Sequence, residues 1–402
     1  MPKISTDKTL IKKFLTRGVT NIYPSHDALE EKLMSGERLR AYQGFDPTGP
    51  YLHVGHAMGI RALRILQQLG HEVIFLIGDY TAKVGDPDKD TARKILTDEQ
   101  IEKNREGWKE QASQLIEFEG DNPVQFKRNY DWLSKLGLGD LIKLMSHTTV
   151  QQMLERDLFD KRMKEGDPIG VQELIYPLMQ GYDGVMMEVD MEIGGTDQIF
   201  NMLVGRNLSK AYLGKEKFVR ANTLMEAPDA RTMSKTKGNG INLSDSAEEM
   251  YGKAMSYSDE YIVKGLELLT EVPMEEISEI EREIAGGENP MKFKKKMALE
   301  IVGMVKGEAE ARKAEGWFET TVQRREISDE NAAAVDKKGE TTLLAFLKEV
   351  SADKHSGGEI KRNIEQGGVE VNGQKITNPM EVIDFKSGDT VKLGKREFYK
   401  VS

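Results

Sequence analysis

The chain of 402 residues has no cysteine, which excludes disulfides, thiolate nucleophiles and cysteine-ligated zinc and fits a reducing cytosol, the compartment expected for it. At 38% hydrophobic and 31% charged residues it has room for two or three domains, and neither a secretory leader nor the roughly 18 apolar residues of a membrane span is visible. The net charge of −10 argues against a uniformly basic nucleic-acid binder, but from Thr341 onward 10 Lys/Arg meet 9 Asp/Glu, so local patches for RNA stay open.

In chain order, "RLRAYQGF" predicts a strand running into a turn. "GHAMGIRALRILQQLG" then has apolar residues at three-to-four spacing and predicts a helix ended by Gly70. "HEVIFLIGDY" is a short apolar run with β-branched residues, the pattern of a buried strand. Strand, glycine-rich turn, helix and strand make a βαβ unit, so the expected fold class is α/β with a Rossmann-like parallel sheet. Residues from about 90 to 165 are charged and predict a helical insertion between two halves of that sheet. "VQELIYPLMQGYDGVMM" predicts a helix begun or kinked at Pro177, and "MEIGGTDQ" a strand entering another turn. After the loop "MEAPDARTMSKTKGNGINLSD", residues 247–323 predict helices with a break at "AGGENP". The last 62 residues change character. "TTLLAFLKEV" and "GEIKRNIEQGG" predict short helices, and "VEVNGQKI" and "DTVKLGKREFYKV" strands with turns at Asn372-Gly373 and Gly394-Lys395. No internal repeat is present.

Three groups of residues point to chemistry. His53 and His56 lie where the first turn meets its helix, whose N-terminus attracts phosphate, and Gly55 between them lets a ligand approach the backbone. A metal pair or a plain helix cap would show the same spacing, although zinc lacks a third ligand nearby. Tyr176, Gln180 and Asp183 share one helix stripe among apolar neighbours, which is either a solvated face or a buried polar line facing a small ligand. Tyr42 and Asp86 fall at the carboxyl edge of the sheet, where this fold gathers ligands. In "TMSKTKGN", a serine and two lysines in a glycine-flanked loop suit a triphosphate as well as an ordinary surface loop.

Together these pieces resemble the class I aminoacyl-tRNA synthetases. "HVGH" is similar to their HIGH signature and "TMSKT" to their KMSKS loop. "YQGFDPTGPYLHVGH", "VGDP", "YPLMQGYD", "GGTDQIFN", "MLERDLFDKRM" and "NPMKFKKKMALEIV" resemble, in order and spacing, the tyrosyl-tRNA synthetases of bacterial type, over nearly the whole chain. "IKRNIEQGGVEVNG" resembles a small RNA-binding domain of a ribosomal small-subunit protein. The resemblance implies a catalytic domain over 1–225 with its insertion, a signature loop and linker over 226–246, an all-helical anticodon-binding module over 247–335 and an α+β RNA-binding domain over 341–402. It implies that tyrosine is activated with ATP to tyrosyl-adenylate and passed to tyrosine tRNA, in a cytoplasmic homodimer joined through the insertion, with Mg2+ on the phosphates.

By the same resemblance, Thr48 and His53 contact the terminal phosphates, His56 and Gly55 the nucleotide, and Lys235 closes over pyrophosphate with Met233 and Ser234. Gly44, Asp46, Gly195 and Asp197 complete the nucleotide site. Tyr42 and Asp183 take the phenolic hydroxyl, Asp86, Tyr176 and Gln180 the ammonium, and Gln198 the carboxylate. Such a site rejects phenylalanine by about 10⁵ without editing, a value established for this enzyme type and not obtained from this sequence. Lys361, Arg362, Lys392, Lys395 and Arg396 are the residues expected at RNA phosphates. The family's first loop lysine is Thr232 here, with Arg231 and Lys237 beside it to supply the charge, and "GDPDKDTAR" is a residue shorter than usual, which leaves Lys89 and Arg93 without a role. Two rivals stand beside this reading. One is the same reaction with tryptophan, which Asp183 opposes; the other is a non-catalytic RNA-binding descendant, which only Thr232 favours.

Overall fold

In a computed structural model, which describes residues 2–86, 96–229, 231, 233, 239–323, 332–351, 354–394 and 397–402, contacts divide the chain into Met1–Glu308 and Ala309–Ser402. The first unit is built on six strands: β1 (Val19–Tyr23), β2 (Arg40–Phe45), β3 (Glu72–Ile77), β4 (Gln125–Arg128), β5 (Met191–Gly195) and β6 (Phe218–Asn222). Their order across the sheet is β1-β6-β5-β2-β3-β4, parallel throughout except for β1 against β6. From β2 the chain winds to one edge through β3 and β4, and from β5 to the other through β6. The gap between β2 and β5 is therefore the topological switch point, where doubly wound sheets bind ligands.

Local sequence explains the central elements. β3 buries every residue from Val73 to Ile77, as a strand covered on both faces must. The helix Val54–Gln68 that links β2 to β3 buries Val54, Ala57, Ile60, Leu63 and Leu66, a single face at three-to-four spacing. It stops before Gly70, whose φ of +88° and contact with the Lys3 carbonyl leave no space for a side chain. Phe45 stacks on Phe75 at 4.4 Å and Phe75 on Phe126 at 5.6 Å, tying β2, β3 and β4 together.

β4 departs from expectation. Its sequence QFKR is only partly buried and sits at the sheet edge, so it has no hydrophobic alternation, yet it pairs with β3 inside the stretch expected to be a helical insertion. Helices beyond it include Leu138–Met145, Val150–Leu154 and Asp157–Glu165. The 247–323 stretch holds the helices Ala247–Met255, Ile262–Leu269, Met274–Ala285 and Pro290–Lys306, broken after Ala285 as the sequence suggests. Arg17 and Arg61 anchor this layer to the sheet. Arg17 donates to the carbonyls of Leu266, Glu267, Thr270 and Val272, and Arg61 to those of Leu268 and Thr270, placing two cations at the C-terminus of Ile262–Leu269.

The second unit packs the helices Leu343–Val350 and Gly357–Glu365 on small sheets. Strands β7 (Ala332–Val335), β9 (Val369–Val371), β10 (Gln374–Ile376), β12 (Thr390–Leu393) and β13 (Glu397–Val401) run in the order β10-β9-β12-β13-β7, and β8 (Gly339–Thr342) pairs with β11 (Val382–Phe385). Phe346 stacks on Phe385 at 4.0 Å in a core with Leu343, Leu347, Ile360, Ile364 and Val391. Asn372 and Gly373 both take positive φ in the expected turn between β9 and β10. β7, an alanine-rich strand, gave no signal in the sequence. Among the described residues no helix is long and apolar enough to cross a membrane.

Candidate active site

At the end of β2 the chain turns through Asp46-Pro-Thr-Gly-Pro and enters the helix at its N-cap, His53. The backbone N–H of His53 donates to His56 Nδ1 at 3.0 Å, and the two imidazoles lie 3.7 Å apart. Because Nδ1 of His56 accepts, its neutral tautomer carries the proton on Nε2. A Cβ on Gly55 would sit 2.9 Å from His53 Nδ1, so glycine is required between them. Thr48 is half-buried in the preceding turn, its N–H on the Asp46 carbonyl at 2.8 Å.

The second signature loop meets the first one here. Met233 is buried, with its sulfur 3.5 Å from the Cβ positions of both Gly55 and Gly240. Val54 N–H donates to the Ile241 carbonyl at 2.9 Å, and His53 forms a β-bridge with Asn242. Ser234 and Lys235 lie outside the described residues, as do Thr232, Lys237, Lys89 and Arg93.

Toward the other end of the cleft the polar groups are buried and interlinked. Asp46 accepts from Thr81 Oγ1 at 2.7 Å and from the Tyr176 hydroxyl at 2.9 Å. Asn129 Nδ2 reaches both Thr81 Oγ1 at 3.0 Å and Asp183 Oδ2 at 3.1 Å, while Trp132 Nε1 donates to Asp183 Oδ1 at 2.7 Å. A single chain of contacts thus runs from Tyr176 through Asp46, Thr81 and Asn129 to Asp183 and Trp132. Burial, followed by the charges of Asp46 and Glu192, pushes the Asp183 carboxyl well above its ordinary range, against the pull of its two donors. Burial, then Glu192 and Asp183, likewise raises the Tyr42 phenol. Tyr42 itself sits in β2, 1% exposed, its hydroxyl 3.4 Å from the Gln180 carbonyl.

A second network gathers around Asp86. Arg156 Nη2 donates to Asp86 Oδ1 at 3.0 Å, Gln198 Nε2 donates to Oδ2, and Asn201 Nδ2 lies 3.4 Å from Oδ1. Asn201 Nδ2 also reaches Gln180 Oε1 and Gln198 Oε1, each at 3.0 Å. Asp197 takes Gln198 Nε2 at 3.1 Å, and a Cβ on Gly195 would sit 2.3 Å from the Asp197 carboxylate. Gly44 is exposed on β2.

The structure therefore brings Asp86, Gln180 and Gln198 into one cluster, and ties Tyr176 to Asp46 in the other. Sequence reasoning missed Thr81, Asn129, Trp132, Arg156, Glu192, Asn201 and Lys217. Asn201 could have been found, since it stands three residues after Gln198 on the same helical face; Asn129 and Trp132 follow the unrecognised strand β4 and had no signal. In the second unit Lys361 and Arg362 are exposed on Gly357–Glu365. Lys392, expected at RNA phosphates, is instead 8% exposed and 3.5 Å from its cross-strand neighbour Glu370, on the face of β12 opposite the core residues Val391 and Leu393. Lys395 and Arg396 lie outside the described residues.

With this geometry in hand, known proteins are informative. A family model described as tRNA synthetases class I (W and Y) matches residues 34–323. The chain is 39% identical to the tyrosine–tRNA ligase of Thermotoga maritima, over 97% of this chain and 96% of that one. It is 40% identical to the tyrosine–tRNA ligase of Aquifex aeolicus, over 97% of each chain. Among solved structures, tyrosyl-tRNA synthetase from Archaeoglobus fulgidus complexed with L-tyrosine covers 78% of this chain and all of its own with a TM-score of 0.59, at 23% identity, a likeness of fold.

Proposed function

Since the chain belongs to the class I tRNA synthetases of the W and Y family, and within it groups with the tyrosine–tRNA ligases, we propose that it is a tyrosine–tRNA ligase. It joins L-tyrosine to ATP and passes the tyrosyl group to the terminal ribose of tyrosine tRNA. The observation that supports this reading is that the turn between β2 and the His53–His56 helix start also carries Asp46, which is linked through Thr81 and Asn129 to the buried Asp183, with the buried Tyr42 on β2 itself.

The first step forms a bond between a tyrosine carboxylate oxygen and the α-phosphorus and breaks the bond from that phosphorus to the bridging oxygen of pyrophosphate, which leaves with the electron pair. The nucleophile is ionised at neutral pH, so no general base is required. Acceleration comes from alignment and from donors aimed at the departing phosphates. Asp183 and Tyr42 hold the phenol, the Asp86–Gln180–Gln198 cluster the amino-acid head, and Asp197 with Gly195 the ribose. His56 Nε2–H, His53 and Thr48 face the phosphates, with Met233, Ser234 and Lys235 closing the nucleotide site with Gly44, Asp46 and Gly55. Magnesium accompanying ATP would neutralise charge on its phosphates.

Exchange of labelled pyrophosphate into ATP, run with tyrosine, phenylalanine and tryptophan in turn, tests the assignment. Tyrosine alone should support it; exchange with tryptophan would reassign the pocket, and no exchange at all would make the chain a non-catalytic RNA binder. Arg231 or Lys237 supplies the charge that Thr232 lacks, an idea that fails if Arg231→Ala and Lys237→Ala both leave the adenylation rate untouched. A homodimer fits the apolar surface of Leu138, Ile142 and Val150, which are 75%, 59% and 61% exposed. Sedimentation of Leu138→Glu/Ile142→Glu should give monomers, and an unchanged dimer would place the interface elsewhere. Exposed Lys361 and Arg362 are the residues of the second unit that suit tRNA phosphates.

A further inference from the structure

Behind the amino-acid end of the cleft lies an ion pair that no step above uses. Lys217, the residue before β6, is fully buried, and its ammonium is bound to Glu192 Oε2 in β5, itself 2% exposed. The fold makes space for it: a Cβ on Gly205 would sit 2.5 Å from Lys217 Nζ and 3.0 Å from the Cα of Gly181, and one on Gly184 would sit 3.4 Å from Nζ. Glycines on the helices Tyr176–Met186 and Ile199–Leu213 thus leave a sleeve for one lysine side chain. A buried ion pair stabilises a fold little more than apolar residues of the same volume, so stability alone gives no reason for this arrangement.

Its effect is on hydrogen-bond direction. An ionised Glu192 can only accept, so Gln180 must turn its Nε2 to Glu192 Oε1, at 2.9 Å, and its Oε1 to Asn201 Nδ2, at 3.0 Å. Asn201 Nδ2 then donates to Gln198 Oε1, and Gln198 is left to donate from Nε2 to Asp86. Asn201 thus donates both ways: toward Gln180, whose direction the Glu192 charge sets, and toward Gln198, which Asp86 holds from the other side. Glu192 is also the register neighbour of Tyr42 across β5 and β2, and Lys217 Nζ lies 6.0 Å from the Tyr42 ring. We propose that Lys217 is a positioning residue for tyrosine binding: by keeping Glu192 a pure acceptor, it fixes the orientation of Gln180 and, through Gln180, of Asn201, and so the donors and acceptors offered to the amino-acid head.

This inference rests on the tyrosine–tRNA ligase reading, which wild-type exchange tests by itself; only ratios between variants bear on Lys217. Without Lys217, Glu192 is left a buried carboxylate with no cation beside it, and the contact that sets the Gln180 amide is disturbed. Lys217→Met should raise the KM for tyrosine in pyrophosphate exchange by about ten- to a hundredfold, with the KM for ATP within about twofold of wild type. Two neutral double variants separate direction from packing. Glu192→Gln/Lys217→Met keeps an acceptor for Gln180, whereas Glu192→Leu/Lys217→Met removes it, and the second should show a KM for tyrosine about tenfold above the first. Equal values in the two double variants would overturn the proposal, even if Lys217→Met does not fold, as would a wild-type KM for tyrosine in folded Lys217→Met.

Discussion

The two ends of the cleft are built on different principles. At the end proposed for the amino acid, Asp183, Glu192, Tyr42 and Lys217 are buried, and each of these four has a polar partner at hydrogen-bonding distance. At the end proposed for the phosphates, contact runs through backbone and glycines: a helix start, a β-bridge between His53 and Asn242, and Met233 lying against two glycines. A rigid network suits discrimination between side chains that differ by one hydroxyl, because a missing partner leaves a buried group unpaired. A backbone cradle suits a triphosphate, which carries its own charge and must leave as pyrophosphate.

The largest effect should come from breaking the rigid end. Asp183→Ala strands the donors of Asn129 and Trp132, and kcat/KM for tyrosine in pyrophosphate exchange should fall by about 10³-fold, with discrimination against phenylalanine largely lost. A loss confined to tenfold would mean that the phenol is held elsewhere. At the cradle, His53→Ala should lower kcat by about 10²-fold while leaving the KM for tyrosine near wild type. An equal rise in that KM would erase the distinction between the two ends. Lys361→Glu/Arg362→Glu in the second unit should raise the KM for tRNA about tenfold and leave exchange intact. Loss of both activities would point to misfolding.

The smallest effect concerns a buried ionisable group at the opposite edge of the sheet, a control for burial without function. His71, before β3, accepts from Leu39 N–H at 3.2 Å. Burial, then Arg38, outweighs Asp190 and lowers it from 6.5 to about 4. Between those values the unfolded chain binds the proton and the folded chain does not, so the contribution is full above about pH 6.5 and is lost as pH falls toward 4. Wild type should lose about 1 kcal/mol more than His71→Gln between about pH 7 and pH 5.5, read as a divergence in thermal midpoints. Parallel midpoints would show that His71 is not held neutral.

Legibility in the sequence followed the same division. The βαβ start, the buried β3 and the helix break after Ala285 could be read because hydrophobic period and glycine act over a few neighbouring residues. The stripe of Tyr176, Gln180 and Asp183 was visible for the same reason. What they touch was not. Asn129 and Trp132 reach Asp183 from the end of an edge strand with no pattern of its own, and Lys217 reads as a surface lysine until the glycines on two distant helices are seen around it. Lys392 read as a phosphate ligand because charge in sequence does not say which face of a strand it occupies.

A crystal structure with a non-hydrolysable tyrosyl-adenylate analogue would address the central claim most directly. The account predicts the phenolic oxygen within hydrogen-bonding reach of both Tyr42 and Asp183, the amino group against Asp86 and Gln180, and the phosphate at the helix start beside His56. An aromatic ring bound away from Asp183, or a nucleotide outside the switch point between β2 and β5, would contradict it.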